Sequence, residues 1–166
     1  EIILGEKTND EAIARSLDYI QQIRKTPIVV NDSRGFYTSR VFSTFTAEGI
    51  TMLAEGVKPA LIENAAKMAG MPVGPLAVTD EVTLELAYKI GKETAAALGR
   101  EFPADLSQEV IQKMVETLDR KGKRFGKGFY EYPKDGKKHL WSGLSEQFPV
   151  REEQPDVDEL KKRMLN

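Results

Sequence analysis

The sequence predicts an all-α (mainly helical) protein, a helical bundle with one or two short strands. Apolar residues recur at helical spacing in five stretches of the chain, whereas β-branched runs are short and few. The 166 residues are enough for one domain with a real core. Hydrophobic residues make up 40% and charged residues 30%, which is ordinary for a globular protein.

Composition and charge argue against several classes of protein. No apolar run approaches the roughly 18–20 residues that span a bilayer, and no basic and apolar leader is seen, so we expect no membrane association and no signal peptide. The absence of cysteine argues against disulfides and thiolate metal sites and fits a reducing compartment, which we expect to be the cytoplasm. A net charge of −2 favours neither a nucleic-acid nor a membrane-surface partner.

The first elements are a strand, a helix and a second strand. Residues 1–4 are apolar after Glu1 and predict a short strand entered without a turn. Because the chain also lacks an initial Met, we expect it to be a piece of a larger enzyme, cut at Glu1; a removed leader or disordered preceding residues are the alternatives. Thr8 and Glu11 fit a capping box that opens a helix over residues 9–24, and residues 28–30 predict the second strand.

Four more helices are predicted from apolar spacing and from Gly and Pro breakers, over residues 36–54, 57–69, 76–98 and 106–120. The loop at residues 70–75 carries two prolines and two glycines, and it either shapes a pocket or only turns a helix pair. Residues 122–128 are basic and rich in glycine. Residues 133–155 are polar and predict a linker, and residues 156–166 predict the start of another helix.

Few residues can carry chemistry by themselves. The one histidine, His139, lies in a polar stretch, and no Ser-His-Asp set, metal-ligand spacing or G-x-G-x-x-G loop is present. The turn at residues 32–36 either offers backbone N–H groups to a ligand or only joins strand to helix. The basic segment 120–127 either meets phosphates or is a solvated loop. The chain alone therefore lacks the parts of a self-sufficient enzyme.

Four blocks, taken in chain order, resemble the C-terminal domain of the 3-hydroxyacyl-CoA dehydrogenases. They are Glu1-Ile2-Ile3; Val29-Val30-Asn31-Asp32 with Gly35, Phe36 and Arg40; Glu55-Gly56-Val57 through residues 70–75 to Asp80; and residues 125–130. The last three are similar to the family patterns V-x-D-x-x-G-F-x-x-N-R, E-G…G-x-P-x-G-P…D and K/R-x-G-x-G-F-Y. The first looks like the end of the strand that leaves an NAD-binding domain.

The resemblance implies a fold like the C-terminal domain of 6-phosphogluconate dehydrogenase, attached to an NAD-binding domain and contributing to a homodimer. The reaction that it implies is oxidation of (S)-3-hydroxyacyl-CoA to 3-ketoacyl-CoA. A histidine removes the hydroxyl proton, and a glutamate that aligns with Glu1 orients it. The histidine belongs to an H-F-x-x-P block that is missing here. NAD would bind the missing domain, and none is expected on this chain.

The resemblance also implies substrate contacts at Ser39, Met71 and Pro72. Ser39 stands where the family has an Asn whose amide bonds the substrate oxygen, and Arg34 replaces a frequent Pro. Serine is shorter but can still donate one hydrogen bond. Since the histidine is missing, we predict that Glu1 is poorly ordered or displaced.

The resemblance divides the chain into a strand remnant at 1–8, the dehydrogenase C-terminal domain at 9–132, a linker at 133–155 and, at 156–166, the start of a possible second helical repeat. Such a repeat resembles the multifunctional fatty-acid oxidation proteins. Two alternatives to a dehydrogenase domain stay open. One is a non-catalytic interaction module with the same fold, and the other is a nucleic-acid-binding domain that rests on residues 120–127 alone.

Overall fold

The computed structural model describes residues 1–165, and the chain divides into two compact units, one formed by residues 1–44 and one that begins at residue 45. The described residues form eight α-helices and four strands of two or three residues, so the prediction of a mainly helical protein with little strand is confirmed.

The first unit is a strand, a helix and a strand. Strand β1 (Ile2–Leu4) pairs in parallel with β2 (Val29–Asn31), and helix α1 (Asp10–Gln22) makes the crossover that parallel pairing requires. The cap of α1 is Asn9, whose side chain accepts a hydrogen bond from the Ala12 N–H at 2.9 Å. The predicted Thr8 cap is wrong because the Thr8 hydroxyl instead accepts the Gly5 N–H.

The second unit is built on helices that surround one apolar core. Helix α2 (Thr38–Ala54) begins in the first unit and buries only its later turns. It is followed by α3 (Pro59–Met68), α4 (Pro75–Val82), α5 (Leu84–Ala97) and α6 (Leu106–Gln112), which continues as a π-helical turn over Lys113–Thr117. The largest fully buried apolar side chains in the described residues include Phe129, Met52, Leu53, Ile62, Leu76, Leu84 and Met114.

The helix predicted over residues 76–98 is two helices. Thr83 adopts a positive φ of 74° and ends α4, and its hydroxyl then caps α5 by accepting the Leu86 N–H at 3.2 Å. The break coincides with a close backbone approach, since a Cβ added at Gly122 would lie 2.9 Å from the Thr83 Cα. Tertiary packing therefore overrides the continuous helical pattern of the sequence.

The predicted linker at 133–155 is wrong. Strand β3 (Tyr130–Glu131) pairs antiparallel with β4 (His139–Leu140), and the short helix α7 (Leu144–Gln147) follows. Leu144 and Phe148 are buried in the core of the second unit, with exposures of 1% and 8%. Most residues of the segment are polar and exposed, but these two apolar side chains fix it to the core.

The last helix, α8 (Val157–Leu165), packs against α3 and buries Leu160 and Met164. The prediction of a helix in this region is confirmed up to residue 165, while Asn166 lies outside the described residues. Arg163 of α8 bonds the carboxylates of Glu48 and Glu55 on α2. Within residues 1–165, no helix is both long and apolar enough to cross a membrane.

Candidate functional site

The Glu1 carboxylate lies at the start of helix α2. Its Oε1 accepts the backbone N–H groups of Tyr37 and Thr38, both at 2.9 Å, and its Oε2 accepts the Thr38 hydroxyl at 2.7 Å. The first N–H groups of a helix have no partner within the helix, and the positive end of the helix dipole favours an anion there. The expectation of a displaced Glu1 is therefore wrong, because three hydrogen bonds hold its carboxylate.

The same hydrogen bonds lower the pKa of Glu1. The bond from the Thr38 backbone N–H has the largest effect, and the bond from the Thr38 hydroxyl has the next largest. Glu1 is therefore anionic at neutral pH. A carboxylate can accept about four hydrogen bonds, and these contacts use three. The remaining lone pair can accept one more donor, such as a ring N–H of an imidazole. The site can thus orient a histidine and stabilise its charged form.

The turn before α2 makes the contact with Glu1 possible. Gly35 and Phe36 have positive φ values of 77° and 48°, and the Phe36 N–H bonds the Ser33 carbonyl at 3.0 Å. This reversal presents the next two N–H groups to Glu1. Ser39, the next residue after Thr38, is exposed on the first turn of α2. The structure therefore brings the predicted catalytic Glu1 and the helix turn of the predicted Ser39 together.

A groove of about 570 Å³ also lies in the first unit. Its walls come from β2, the following turn and one face of α2, and the lining residues are Val29, Val30, Asn31, Ser33, Phe36, Tyr37, Arg40, Val41 and Thr44. Ser39 is not among them, because it lies on a different face of α2 from Arg40, Val41 and Thr44. None of the predicted substrate contacts, Ser39, Met71 and Pro72, lines this groove.

Met71 and Pro72, the other predicted substrate contacts, lie in the second unit on the loop between α3 and α4. The loop begins with a helix-ending turn in which Gly70 has a φ of 102° and the Met71 N–H bonds the Ala66 carbonyl at 3.0 Å. Met71 is half-buried against the core, whereas Pro72 is exposed. The loop thus has a defined backbone and one side chain open to solvent.

Two buried carboxylates hold this loop and the glycine-rich segment. Glu63 on α3, 4% exposed, accepts the Leu76 N–H at 2.8 Å and the Ala77 N–H at 3.3 Å at the start of α4, and its Oε2 accepts the Tyr130 hydroxyl at 2.7 Å. Asp80 on α4 is fully buried and accepts the backbone N–H groups of Phe129 and Tyr130, both at 2.9 Å. Sequence reasoning missed these roles.

The ionisation of the network follows from its burial. Burial raises the pKa of Asp80 to about 6, against the opposing effect of its hydrogen bonds from Tyr130, Phe129 and Tyr132. Burial also raises the pKa values of Tyr130 and Tyr132, whose hydroxyls stay protonated and donate to the carboxylates. One sequence signal could have found Glu63: an acidic residue within the apolar, core-facing stretch of α3 beside Ile62, Ala65 and Ala66.

The basic segment is engaged within the molecule. Arg120 is 6% exposed, donates to the Gly128 carbonyl at 2.7 Å, and stacks over the Trp141 ring. Lys121 and Lys127 both pair with Asp119, and Lys123 pairs with Glu81. These cations are therefore partly neutralised, which gives no support to a phosphate site. Within residues 1–165, no group of three or more metal-ligating His, Cys, Asp or Glu side chains is found.

The chain is similar to known dehydrogenases. The model of the 3-hydroxyacyl-CoA dehydrogenase C-terminal domain family matches residues 35–132. The fatty acid oxidation complex subunit alpha of Shewanella loihica is 36% identical over 140 residues, which is 84% of this chain and 19% of that protein. The protein of the same name from Shewanella amazonensis is 38% identical over 138 residues, 83% of this chain and 19% of its own length. The chain thus spans about a fifth of these relatives.

Solved structures show the same fold. The (S)-3-hydroxybutyryl-CoA dehydrogenase of Ralstonia eutropha superposes with a TM-score of 0.67 and 28% identity over 80% of this chain and 46% of its own. The dehydrogenase part of multifunctional enzyme 1 from Caenorhabditis elegans has a TM-score of 0.67 over 98% of this chain and 37% of its own; at 21% identity it shows the fold alone. The chain belongs to the 3-hydroxyacyl-CoA dehydrogenase C-terminal domain family.

Proposed function

We propose that this chain is the substrate-binding and dimerisation domain of an NAD-dependent (S)-3-hydroxyacyl-CoA dehydrogenase of fatty-acid β-oxidation. The whole enzyme would oxidise a 3-hydroxyacyl-CoA to a 3-ketoacyl-CoA, and this chain alone would be inactive. The observation that carries the proposal is the Glu1 carboxylate, fixed by Tyr37 and Thr38 with one lone pair left for a donor. A catalytic histidine from preceding sequence would be oriented there.

The chemistry assigned to this chain is positioning and charge stabilisation. Glu1 would hold the imidazole of the histidine in place and stabilise the charge that the ring gains when it takes the substrate hydroxyl proton. Ser39 would donate its hydroxyl to the substrate oxygen, directly or through water. Met71 and Pro72 would contact the acyl-CoA. The pKa of Glu1, lowered by the Thr38 backbone N–H, keeps the carboxylate ionised for this role.

NAD, when bound, accepts the hydride of this reaction, but the residues of this chain do not fit a dinucleotide. The sequence has no G-x-G-x-x-G loop between a strand and a helix. The turn that follows β1 instead leads to Asn9, whose side chain itself caps α1. We therefore place NAD on a preceding domain. The parent protein would be multifunctional and cytoplasmic, with residues 156–166 opening a second helical repeat.

The second candidate is a non-catalytic interaction module that keeps the fold. Ser39 favours it, because serine stands where the family has the substrate-binding Asn. The two candidates differ in whether the full-length protein catalyses oxidation of a 3-hydroxyacyl-CoA. The parent should be assayed for NADH formation from (S)-3-hydroxybutyryl-CoA and from a longer 3-hydroxyacyl-CoA. Turnover supports the dehydrogenase, and no turnover with either substrate supports the module.

The role of Glu1 is tested in the same protein. Glu1→Gln should lower kcat by about tenfold or more, because a neutral amide stabilises a charged imidazole poorly. Glu6→Gln, at an exposed acidic residue after β1, serves as the matched control and should leave kcat unchanged. Equal activity of the Glu1→Gln and wild-type proteins would remove Glu1 from the mechanism.

A further inference from the structure

We propose that buried Glu63 is a positioning residue that fixes the shape of the loop 70–75 for the acyl-CoA, acting through the first turn of α4. This inference rests on the proposed function, because it takes Met71 and Pro72 as substrate contacts. Only 4% of the surface of Glu63 is exposed, so Glu63 would act on the ligand indirectly, through the backbone that its carboxylate holds.

The loop is anchored at both ends by different means. At its start, Gly70 and Met71 close the end of α3 with backbone hydrogen bonds to Lys67 and Ala66. At its end, α4 begins with Gly74 and Pro75 and has no cap from its own side chains. Glu63 supplies that cap across the helix pair, so a single side chain of α3 decides where the loop ends.

Gly74 and Pro75 leave room and free N–H groups for the Glu63 carboxylate. A Cβ added at Gly74 would overlap the Glu63 carboxylate, so a glycine is needed where the carboxylate reaches the backbone. Pro75 occupies the first helical position, where the missing N–H costs nothing, and leaves the N–H groups of the next two residues to the Oε1 atom. The Gly-Pro pair is therefore explained by the carboxylate beside it.

Tyr130 connects the cap to the closing strand. Its hydroxyl donates to Oε2 of Glu63 at 2.7 Å, while its backbone N–H donates to Asp80 at 2.9 Å. The Tyr130 hydroxyl thus fixes the rotation of the Glu63 carboxylate, which keeps Oε1 aimed at α4. The Tyr130 side chain is a second positioning group, one step further from the ligand.

The test uses the full-length parent protein with Glu63→Asp and Glu63→Gln. Aspartate is one methylene shorter and withdraws the carboxylate from α4, whereas glutamine keeps the length and its Oε1 can still accept both N–H groups. We expect Glu63→Asp to raise the KM for the acyl-CoA about fivefold to tenfold with kcat and the KM for NAD unchanged, and Glu63→Gln to restore a KM near wild type. Asp105→Asn, at the exposed cap of α6, is the matched control and should leave both KM values unchanged.

Hydrogen exchange gives a readout that does not depend on activity. The amides of Leu76 and Ala77 should exchange faster in Glu63→Asp than in wild type and Glu63→Gln.

A folded Glu63→Asp protein with an unchanged KM for the acyl-CoA, or with both KM values raised in parallel, would overturn the inference. If Glu63→Asp does not fold, Tyr130→Phe decides: a KM for the acyl-CoA raised about twofold supports the inference, and an unchanged KM overturns it. A wild-type parent that does not oxidise the substrate instead counts against the proposed function, and exchange then still tests the cap.

Discussion

The Asp80 carboxylate fills the space in which a side chain at Gly128 would have to lie. A Cβ built at Gly128 would overlap the carboxylate, which is fully buried and accepts the two N–H groups that follow that glycine. The two residues are 48 positions apart in the sequence, yet the buried carboxylate of Asp80 requires a residue without a side chain at position 128. The closing motif of the family is therefore, in this structure, a backbone segment wrapped around a buried acid.

Gly128→Ala should destabilise the second unit. The added methyl group must displace the Asp80 carboxylate, and we expect a loss of about 2–4 kcal/mol from overpacking and broken buried hydrogen bonds. Urea unfolding followed by the fluorescence of Trp141, the one tryptophan of the chain, measures the loss. Gly5→Ala is the control, since a Cβ there would meet only the Thr8 Oγ1 at 3.6 Å. A Gly128→Ala protein as stable as the control would contradict the interpretation.

The stability of the second unit should rise on mild acidification through Asp80. Burial raises its pKa from 3.8 to about 6, so between these values the folded chain holds a proton that the unfolded chain releases. The contribution of Asp80 to the free energy of unfolding should therefore grow as the pH falls from about 7 to 4, by at most roughly 3 kcal/mol.

The measurement compares wild type with Asp80→Asn by urea unfolding across that pH range. Because Asn does not titrate, the stability difference between the two proteins should shift in favour of wild type at the lower pH. A difference that is independent of pH would show that Asp80 keeps an ordinary pKa.

The Glu1 carboxyl should titrate below its ordinary range. The Thr38 backbone N–H and then the Thr38 hydroxyl lower its pKa, so any stabilisation that it gives is present above its unfolded pKa and is lost as the pH falls through the folded one. Carbon-detected NMR titration of the side chain reads this pKa directly. Thr38→Val should raise the pKa towards the ordinary value, whereas Thr44→Val, whose hydroxyl bonds the Val41 carbonyl instead, should not.

Arg163→Ala should weaken the packing of α8. The guanidinium is about a quarter exposed and bonds two carboxylates, Glu48 and Glu55, which would be left without this shared partner. We expect a loss of about 1–2 kcal/mol, against less than about 0.5 kcal/mol for Lys161→Ala, whose pair with Asp158 is local and more exposed. Equal losses in the two variants would mean that α8 is held by its apolar face alone.

The sequence predicts most helices well because their apolar spacing and their Gly and Pro breakers are local signals. It predicts one helix over residues 76–98 because no Gly or Pro marks Thr83, and the break depends on the distant backbone of Gly122. It predicts a linker at 133–155 because a four-residue helix is too short for periodicity, although Leu144 and Phe148 are four apart. Such contacts are set by tertiary structure.

The candidate site is predictable in part. The resemblance assigns Glu1 and Ser39 to one site, and the structure places Glu1 on the residue next to Ser39. The hydrogen bonds themselves could not be predicted, because they need the positive φ at Phe36, a residue type that rarely adopts it. The sequence marks Glu63 only as an acidic residue in an apolar stretch, because its partners, Leu76 and Tyr130, lie on other elements and are defined by the fold.

The wrapping of the C-terminal segment has a consequence for anyone who wishes to shorten this protein. The family model matches residues 35–132, but Leu144, Phe148, Leu160 and Met164 complete the core. Gly56 also packs so closely that a Cβ there would lie 2.8 Å from the Pro149 carbonyl oxygen. The stretch that the family model matches and the stretch that builds the core therefore have different limits. Truncation after residue 132, by a protease or by design, would therefore remove four buried side chains from the core of the second unit.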